Sequence, residues 1–166
     1  EMIDRVDDEL AAHASGHVLA WPAHFSPDRV LVPVLKRLVQ ARRRSGAAFE
    51  ALHRAAIAHL EARIAETLEP PGDWTRPSEI GCRCQHCREL SGFLADATQE
   101  SWTLRAAQQI RTHVENEIGR ARADVDMETL RRGSPHSLIC RKNQSSYERR
   151  VVQRKQDLAD LAVLQR

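Results

Sequence analysis

The sequence predicts a mainly α protein, with a helical N-terminal layer followed by a small α+β module that carries one short β-ribbon. Aromatic residues make up only 4% of the 166 residues and alanine is abundant, which favours close-packed helices over a β-sandwich. Apolar residues recur at helical spacing along most of the chain. Three cysteines, Cys82, Cys84 and Cys87, follow a Pro/Gly-rich break. Because a small second core gains stability from a bound metal, we expect the module to be zinc-stabilised.

The N-terminal part, residues 1–69, predicts a helical hairpin or a three-helix layer without visible chemistry. Ser26 and Pro27 form the pattern of an N-cap followed by proline in the first helical turn. Pro33 removes one backbone donor, so it should kink this helix or delay its start. The clearest apolar stripe follows a short Ser-Gly turn and needs a partner helix to cover it. The predicted helices cover residues 2–20, 26–44 and 47–69.

The second part, residues 70–166, begins where two prolines and a glycine stop the preceding helix. We expect a zinc-binding helical module here, ending in a basic C-terminal segment. Residues 137–142 are the best strand candidate, and a strand needs a partner, which we place near Ile80 or the cysteines. The remaining predicted elements are a short helix over residues 88–97, a long helix over residues 99–123 and a final helix that starts at Ser145 or Ser146.

The cysteine run has the spacing Cys-x-Cys-x-x-Cys, which lets a tight turn present several thiolates to one tetrahedral ion. Three thiols leave one position to fill. His113 lies on the apolar stripe of the long predicted helix, so its imidazole should face the cysteines, and it is our first choice. The other candidates, in order, are Cys140, His86 and His136.

Other chemistry at the thiols is less well matched. A redox disulfide between Cys84 and Cys87 leaves a third thiol at Cys82 and has no βαβ context. An iron–sulfur cluster needs a fourth cysteine, which only Cys140 could supply. A deaminase zinc site needs a His-x-Glu before its cysteine pair, whereas the His-x-Glu at His113 comes after it. Structural zinc is therefore the interpretation that the spacing favours.

A combined pattern in residues 70–155 resembles a known cysteine-rich region. It runs Pro-Pro-x-Asp-Trp from Pro70, then Cys-x-Cys-x-x-Cys-x-x-Leu-x-x-Phe-Leu, then Arg-x-His ending at His113, then Thr-x-Arg-x-Gly-Ser-Pro-x-x-Leu-x-Cys-x-Lys from Thr129. This is similar to the C-terminal region of large bacterial and fungal proteins, some of which are labelled 2-oxoglutarate/iron oxygenase-like. The resemblance implies a zinc module with Cys82, Cys84, Cys87 and His113 as ligands. It implies no oxygenase here, since the His-x-Asp of a facial triad does not occur in the sequence.

Positive charge is concentrated at the end of the chain. Residues 131–166 carry nine Lys and Arg against three Asp and Glu, although the net charge of the whole chain is only +2. Clustered cations can contact phosphates. The sequence thus predicts a non-catalytic module that contacts nucleic acid through Arg131, Arg132, Arg141, Lys142, Arg149, Arg150, Arg154 and Lys155. The alternative is a protein-interaction or scaffolding domain, because basic residues can also pair with upstream carboxylates and stacking rings are few.

Other functional classes lack their sequence signals. The chain has no glycine-rich phosphate loop, no nucleophile elbow and no clear carboxylate pair, so we expect neither an enzyme nor a small-molecule substrate. No apolar run approaches membrane-spanning length and no signal segment is present, which indicates a cytoplasmic protein without a membrane partner. The chain opens at Glu1 in charged amphipathic sequence, which is typical of a piece of a longer polypeptide.

Overall fold

The protein is an α+β structure in which helices predominate. A computed structural model describes residues 8–43 and 46–166. Within those ranges it contains six α-helices, one π-helical segment and one three-stranded antiparallel sheet. The helices are α1 (Asp8–Ala20), the π-helical segment (Pro27–Leu31), α2 (Val32–Gln40), α3 (Ala47–Ala65), α4 (Gln85–Ala95), α5 (Gln108–Ala121) and α6 (Ser145–Leu164). The strands are β1 (Ser101–Arg105), β2 (Val125–Leu130) and β3 (Ser137–Lys142). None of the helices in the described ranges is long and apolar enough to cross a membrane.

The chain divides into two compact units. The first unit comprises residues 1–67 and 150–166, and the second comprises residues 68–149. Helix α6 therefore begins in the second unit and ends in the first. Its last turn packs into the first core, because Leu164 is buried with Leu35 and Leu60. The division that we predicted between residues 69 and 70 kept all of α6 in the second part, since the sequence of α6 does not show which core its apolar side chains join.

The helix boundaries around residues 26–33 of the first unit follow local sequence signals. The Ser26 side chain accepts a hydrogen bond from the backbone N–H of Arg29 at 3.4 Å, and Pro27 follows in the first turn. Regular α-helix starts only at Val32, with Pro33 in its first turn, which confirms the delayed start. Helix α3 ends at Ala65 because Glu66 has an extended backbone, four residues before the predicted end. Residues 2–7 of the first predicted helix lie outside the described residues.

A buried carboxylate ties α6 to α3 within the first unit. Asp157 is only 1% exposed, and both of its oxygens accept hydrogen bonds of 2.7 Å from the Arg63 guanidinium. Arg63 also donates to both oxygens of Asp28, at 2.8 and 2.7 Å. The Arg63 hydrogen bond holds the pKa of Asp28 below its ordinary value of 3.8, although partial burial opposes the shift. The apolar stripes of these helices are therefore fixed by charged contacts as well as by packing.

The sheet of the second unit has the order β1-β3-β2, with both pairings antiparallel. The strand predicted over residues 137–142 is confirmed as β3. Its partners are β1 and β2, whereas we expected pairing near Ile80 or the cysteines, and the two-stranded ribbon is in fact a three-stranded sheet. Helices α4 and α5 and the sheet share one core, which includes Leu90, Phe93, Leu104, Val114, Ile118 and Leu138.

The long helix predicted over residues 99–123 is wrong in its first part. Residues 101–105 form strand β1, and α5 starts at Gln108. Trp102 and Leu104 are turned toward the core while their neighbours are exposed, which is the alternation of a strand. Tryptophan and threonine also favour strands. Pairing with β3 satisfies the backbone groups of these residues, so tertiary pairing decides the conformation.

Candidate metal centre

Four side chains converge where the start of α4 meets α5. The sulfur atoms of Cys82, Cys84 and Cys87 and a ring nitrogen of His113 all lie within 4.8 Å of one another. His113 Nε2 is 3.6 Å from Cys84 Sγ and 3.3 Å from Cys87 Sγ. In tetrahedral zinc sites, bonds of about 2.3 Å to sulfur and 2.0 Å to nitrogen separate those two atoms by roughly 3.5 Å. This Cys3His cluster could therefore hold a metal ion.

Local backbone structure brings the thiols together. Cys84 is the N-cap of α4 and has an extended backbone, and its carbonyl accepts the first helical hydrogen bond from the Arg88 N–H at 3.0 Å. Cys87 falls in the first helical turn and is fully buried. The change from extended to helical backbone at Cys84 folds the chain back, so that residues three apart approach the same point. The Cys-x-x-Cys spacing thus matches a helix N-terminus.

Two of the thiols differ strongly in acidity. A hydrogen bond from the backbone of Cys87, reinforced by the neighbouring thiols and His113, lowers the pKa of Cys84 to about 6. Burial raises the pKa of Cys87 to about 12, and the nearby sulfurs of Cys84 and Cys82 add to this effect. Closely spaced sulfurs resist ionising together. A bound cation favours the thiolate form of all of them, so metal uptake at this cluster releases protons.

Glu117 supports the cluster from α5, one turn beyond His113. Its carboxylate is 6% exposed, and Oε2 accepts a hydrogen bond of 3.2 Å from the backbone N–H of Cys82. Arg120 Nη1 donates to the other oxygen at 2.7 Å. Sequence reasoning missed Glu117. The available signal was a carboxylate four residues after a candidate ligand, between the buried positions Val114 and Ile118.

The other candidates for the fourth ligand lie elsewhere. Cys140 is buried in the sheet core with Leu138, and burial raises the pKa of its thiol to about 12. His86 Nδ1 is enclosed without a hydrogen-bond partner and is 3.7 Å from a Glu89 oxygen. His136 Nδ1 lies 2.9 Å from the carbonyl oxygen of Gly133 in the loop between β2 and β3. In the ranges that the structure describes, His113 is the residue that completes a cluster with the three thiols.

The Lys142 side chain is buried in the second unit. It is only 4% exposed, and its Nζ donates to the carbonyl oxygen of Asp96 at 2.6 Å. The ammonium also lies over the Phe93 ring, 4.6 Å from its centroid. Burial lowers the pKa of this amine. Lys142 was predicted to contact phosphate, but in this conformation its charge is enclosed by the protein.

Most of the other predicted phosphate contacts have acceptors within the protein. The arginines of these pairs are partly or fully exposed, and exposed ion pairs contribute little to stability. The pairs are Arg141 with Glu128 at 3.1 Å, Arg149 with Asp124 at 3.5 Å, Arg150 with Glu66 at 3.2 Å and Arg154 with the carbonyl oxygen of Glu66. Arg131, Arg132 and Lys155 are exposed and have no ion pair to a described carboxylate. Arg131 and Arg132 open the loop between β2 and β3, whereas Lys155 belongs to the first unit.

No family model, no curated protein and no solved structure matches the chain. The similarity to cysteine-rich C-terminal regions therefore stays a prediction. The positions and chemistry of its own residues support the Cys3His cluster as a metal site.

Proposed function

We propose that residues 68–149 form a non-catalytic binding module stabilised by one zinc ion. The observation that carries this proposal is the convergence of three thiols and one imidazole between α4 and α5. Sulfur and nitrogen donors in a tetrahedral arrangement suit zinc. An iron–sulfur cluster would need a fourth thiol, and Cys140 is enclosed in the core instead. Four protein ligands close the coordination sphere, which is typical of structural rather than catalytic zinc.

Elemental analysis of the purified chain tests the zinc assignment. We expect one zinc per chain. His113→Ala should lower zinc affinity and melt the second unit at lower temperature, because the ion then lacks one ligand. His86→Ala and His136→Ala are matched controls that remove an imidazole outside the cluster. Full zinc content and unchanged stability in His113→Ala would show that another residue closes the site.

We propose nucleic acid as the partner of this module, contacted by the loop that starts at Arg131 and Arg132. What supports this is the exposure of both guanidiniums and their lack of a described carboxylate partner. Each phosphate contact to a single strand contributes about −0.7 to the slope of log K against log salt. Arg131→Ala and Arg132→Ala should each reduce the slope by about that amount. Arg141→Ala is the matched control, because its charge is already paired with Glu128. Salt-independent binding would contradict the proposal.

The second candidate is a scaffolding domain that binds another protein through the first unit. Five large apolar side chains between residues 10 and 34 of this unit are 38–52% exposed, namely Leu10, Leu19, Trp21, Val30 and Val34. Exposed apolar patches mark interaction surfaces. An environment-sensitive dye such as anilinonaphthalene sulfonate should then bind the folded chain, and a Trp21→Ser, Val34→Ser variant should bind less of it. A monomeric chain that binds no dye would contradict this candidate.

A further inference from the structure

A polar cavity of about 290 Å³ lies where β2 passes into β3, beside the first two turns of α5. Helix α5 contributes Arg111, Thr112 and Glu115 to its lining, and the strand and loop contribute Thr129, Arg131 and His136. We call this the arginine cavity. It is distinct from the Cys3His cluster, whose residues do not line it.

Arg111 places a buried cation on the wall of the arginine cavity. It is only 6% exposed, and its Nη1 donates to the carbonyl oxygens of Ala106 at 2.6 Å and His136 at 3.3 Å. A guanidinium has five N–H donors. No acceptor in the described chain uses Nε or Nη2, and no described carboxylate forms an ion pair with Arg111. The free donors of this guanidinium therefore suit an anion bound in the cavity.

The opposite wall is held in place by hydrogen bonds to its backbone. Arg105 donates to the carbonyl oxygens of Pro135 at 3.4 Å and Ser134 at 3.3 Å. Gly133 has a φ of 81°, a conformation that favours glycine, and its carbonyl oxygen lies against the His136 ring. The loop that carries Arg131 is therefore anchored at several points. A preformed wall lowers the entropic cost of binding a ligand.

The lining selects a ligand rich in hydrogen-bond acceptors. The lining contains the hydrogen-bond donor groups of two arginines, two threonines and Gln108, and Glu115 is its single carboxylate. Glu115 accepts a hydrogen bond of 3.4 Å from the Thr129 hydroxyl, which leaves it free to accept another. No phenylalanine, tyrosine or tryptophan ring lines the cavity, so the strongest platforms for a stacked base are missing there. Phosphate oxygens suit the arginines, and a hydroxyl group suits the carboxylate.

From this geometry we propose that the arginine cavity binds a ribose phosphate unit. The phosphate lies against Arg111 and Arg131, and a ribose hydroxyl donates to Glu115. This rests on the proposed nucleic-acid function and makes it more specific. The 2′-hydroxyl distinguishes RNA from DNA, so the module should prefer single-stranded RNA. A free ribonucleotide offers the same chemistry.

The test uses the zinc-loaded full chain and fluorescence anisotropy with RNA and DNA oligonucleotides of one base sequence, uracil replacing thymine in the DNA. Adenosine and deoxyadenosine monophosphate are titrated in parallel by calorimetry. Arg131→Gln should weaken RNA binding about tenfold, which is the effect of losing one hydrogen bond to a charged group. Glu115→Ala should weaken RNA binding while leaving DNA binding equal or stronger, because it removes both an acceptor and a negative charge. Glu115→Gln should restore part of the RNA preference, and Arg54→Gln, which removes an exposed arginine of α3 in the first unit, should change neither affinity more than twofold.

The outcomes distinguish failure of the cavity proposal from failure of the proposed nucleic-acid function. Equal binding of RNA and DNA, or RNA affinity insensitive to both cavity variants, overturns the cavity proposal and leaves nucleic-acid binding standing. Preferential binding of adenosine monophosphate, lost in Glu115→Ala, without binding of either oligonucleotide supports the cavity and overturns the nucleic-acid function. Binding of no probe overturns both. Melting temperatures of the variants, matched to the parent chain, exclude loss of folding as the cause.

Discussion

Replacing Glu117 by alanine tests whether the Cys3His cluster is held in register by α5. The carboxylate accepts the Cys82 N–H from outside the ligand set, so the substitution leaves all four ligands in place. Removing such a supporting contact typically lowers metal affinity by about 10–100-fold. The contact here is 3.2 Å long and Cys82 is only half-buried, which places the expected effect near the lower limit. We therefore expect about a tenfold loss of zinc affinity, or roughly 1.4 kcal/mol.

The measurement is a competition titration of the folded chain against a chromogenic zinc chelator. Glu117→Gln keeps an oxygen acceptor and should lose less affinity than Glu117→Ala. Arg120→Ala removes only the exposed partner of Glu117 and should stay within twofold of the parent chain, since this arginine is 76% exposed. Equal zinc affinity in Glu117→Ala and the parent chain, with folding intact, would refute the idea that α5 positions Cys82.

Three further predictions concern stability. Cys140→Ser should lower the free energy of unfolding by about 1–3 kcal/mol, because it places a hydroxyl in the apolar core. Zinc content should stay at one per chain, and loss of zinc in this variant would show that Cys140 is a ligand. Lys142→Ala should destabilise the chain by roughly 1.5–3 kcal/mol in urea titrations, because a charged hydrogen bond to Asp96 is lost, and should leave RNA affinity within twofold. A large drop in RNA affinity with unchanged stability would show that Lys142 contacts RNA directly. The third prediction is that Asp28 makes the fold sensitive to acid. Its pKa is lower in the folded state than in the unfolded state, so the unfolded state binds more protons as pH falls below about 3.8. The stability that Asp28 contributes is present above that pH and is lost as pH falls through the folded pKa. In urea titrations from pH 2 to 6, Asp28→Asn should flatten this part of the pH profile, and an unchanged profile would assign the acid sensitivity to other carboxylates.

Local signals explain what could be predicted from the sequence. Ser26 and Pro27 mark a helix start through their own backbone and side-chain chemistry, so they need no distant partner. Strand β3 combines apolar and β-branched residues between a turn and a polar segment. The approach of His113 to the cysteines was predictable because helical periodicity fixes its face, and the buried positions Val114 and Ile118 show where the core lies.

What could not be predicted depends on pairing between distant residues. Trp102 is spaced from Ile110 as on one face of a helix, but the residues around it are also compatible with a strand. The strand forms because these residues pair with β3, which is distant in sequence. Acidic residues such as Asp126 and Glu128 disfavour a strand, so β2 was missed although β3 holds it through backbone hydrogen bonds. The burial of Lys142 was likewise invisible, because its acceptor, the Asp96 carbonyl, lies 46 residues away.

The spacing of the Cys3His cluster would give a bound ion a role in chain topology. Three ligands come from one short segment, and the fourth is 26 residues beyond Cys87, so a bound ion closes a loop between α4 and α5. Strand β1 lies wholly inside that loop and is an edge strand of the sheet. If the ion acts as a covalent cross-link does, it removes roughly 3.5 kcal/mol of chain entropy from the unfolded ensemble. By closing this loop, the metal would help to keep β1 paired with β3 although β1 supplies none of the four ligands.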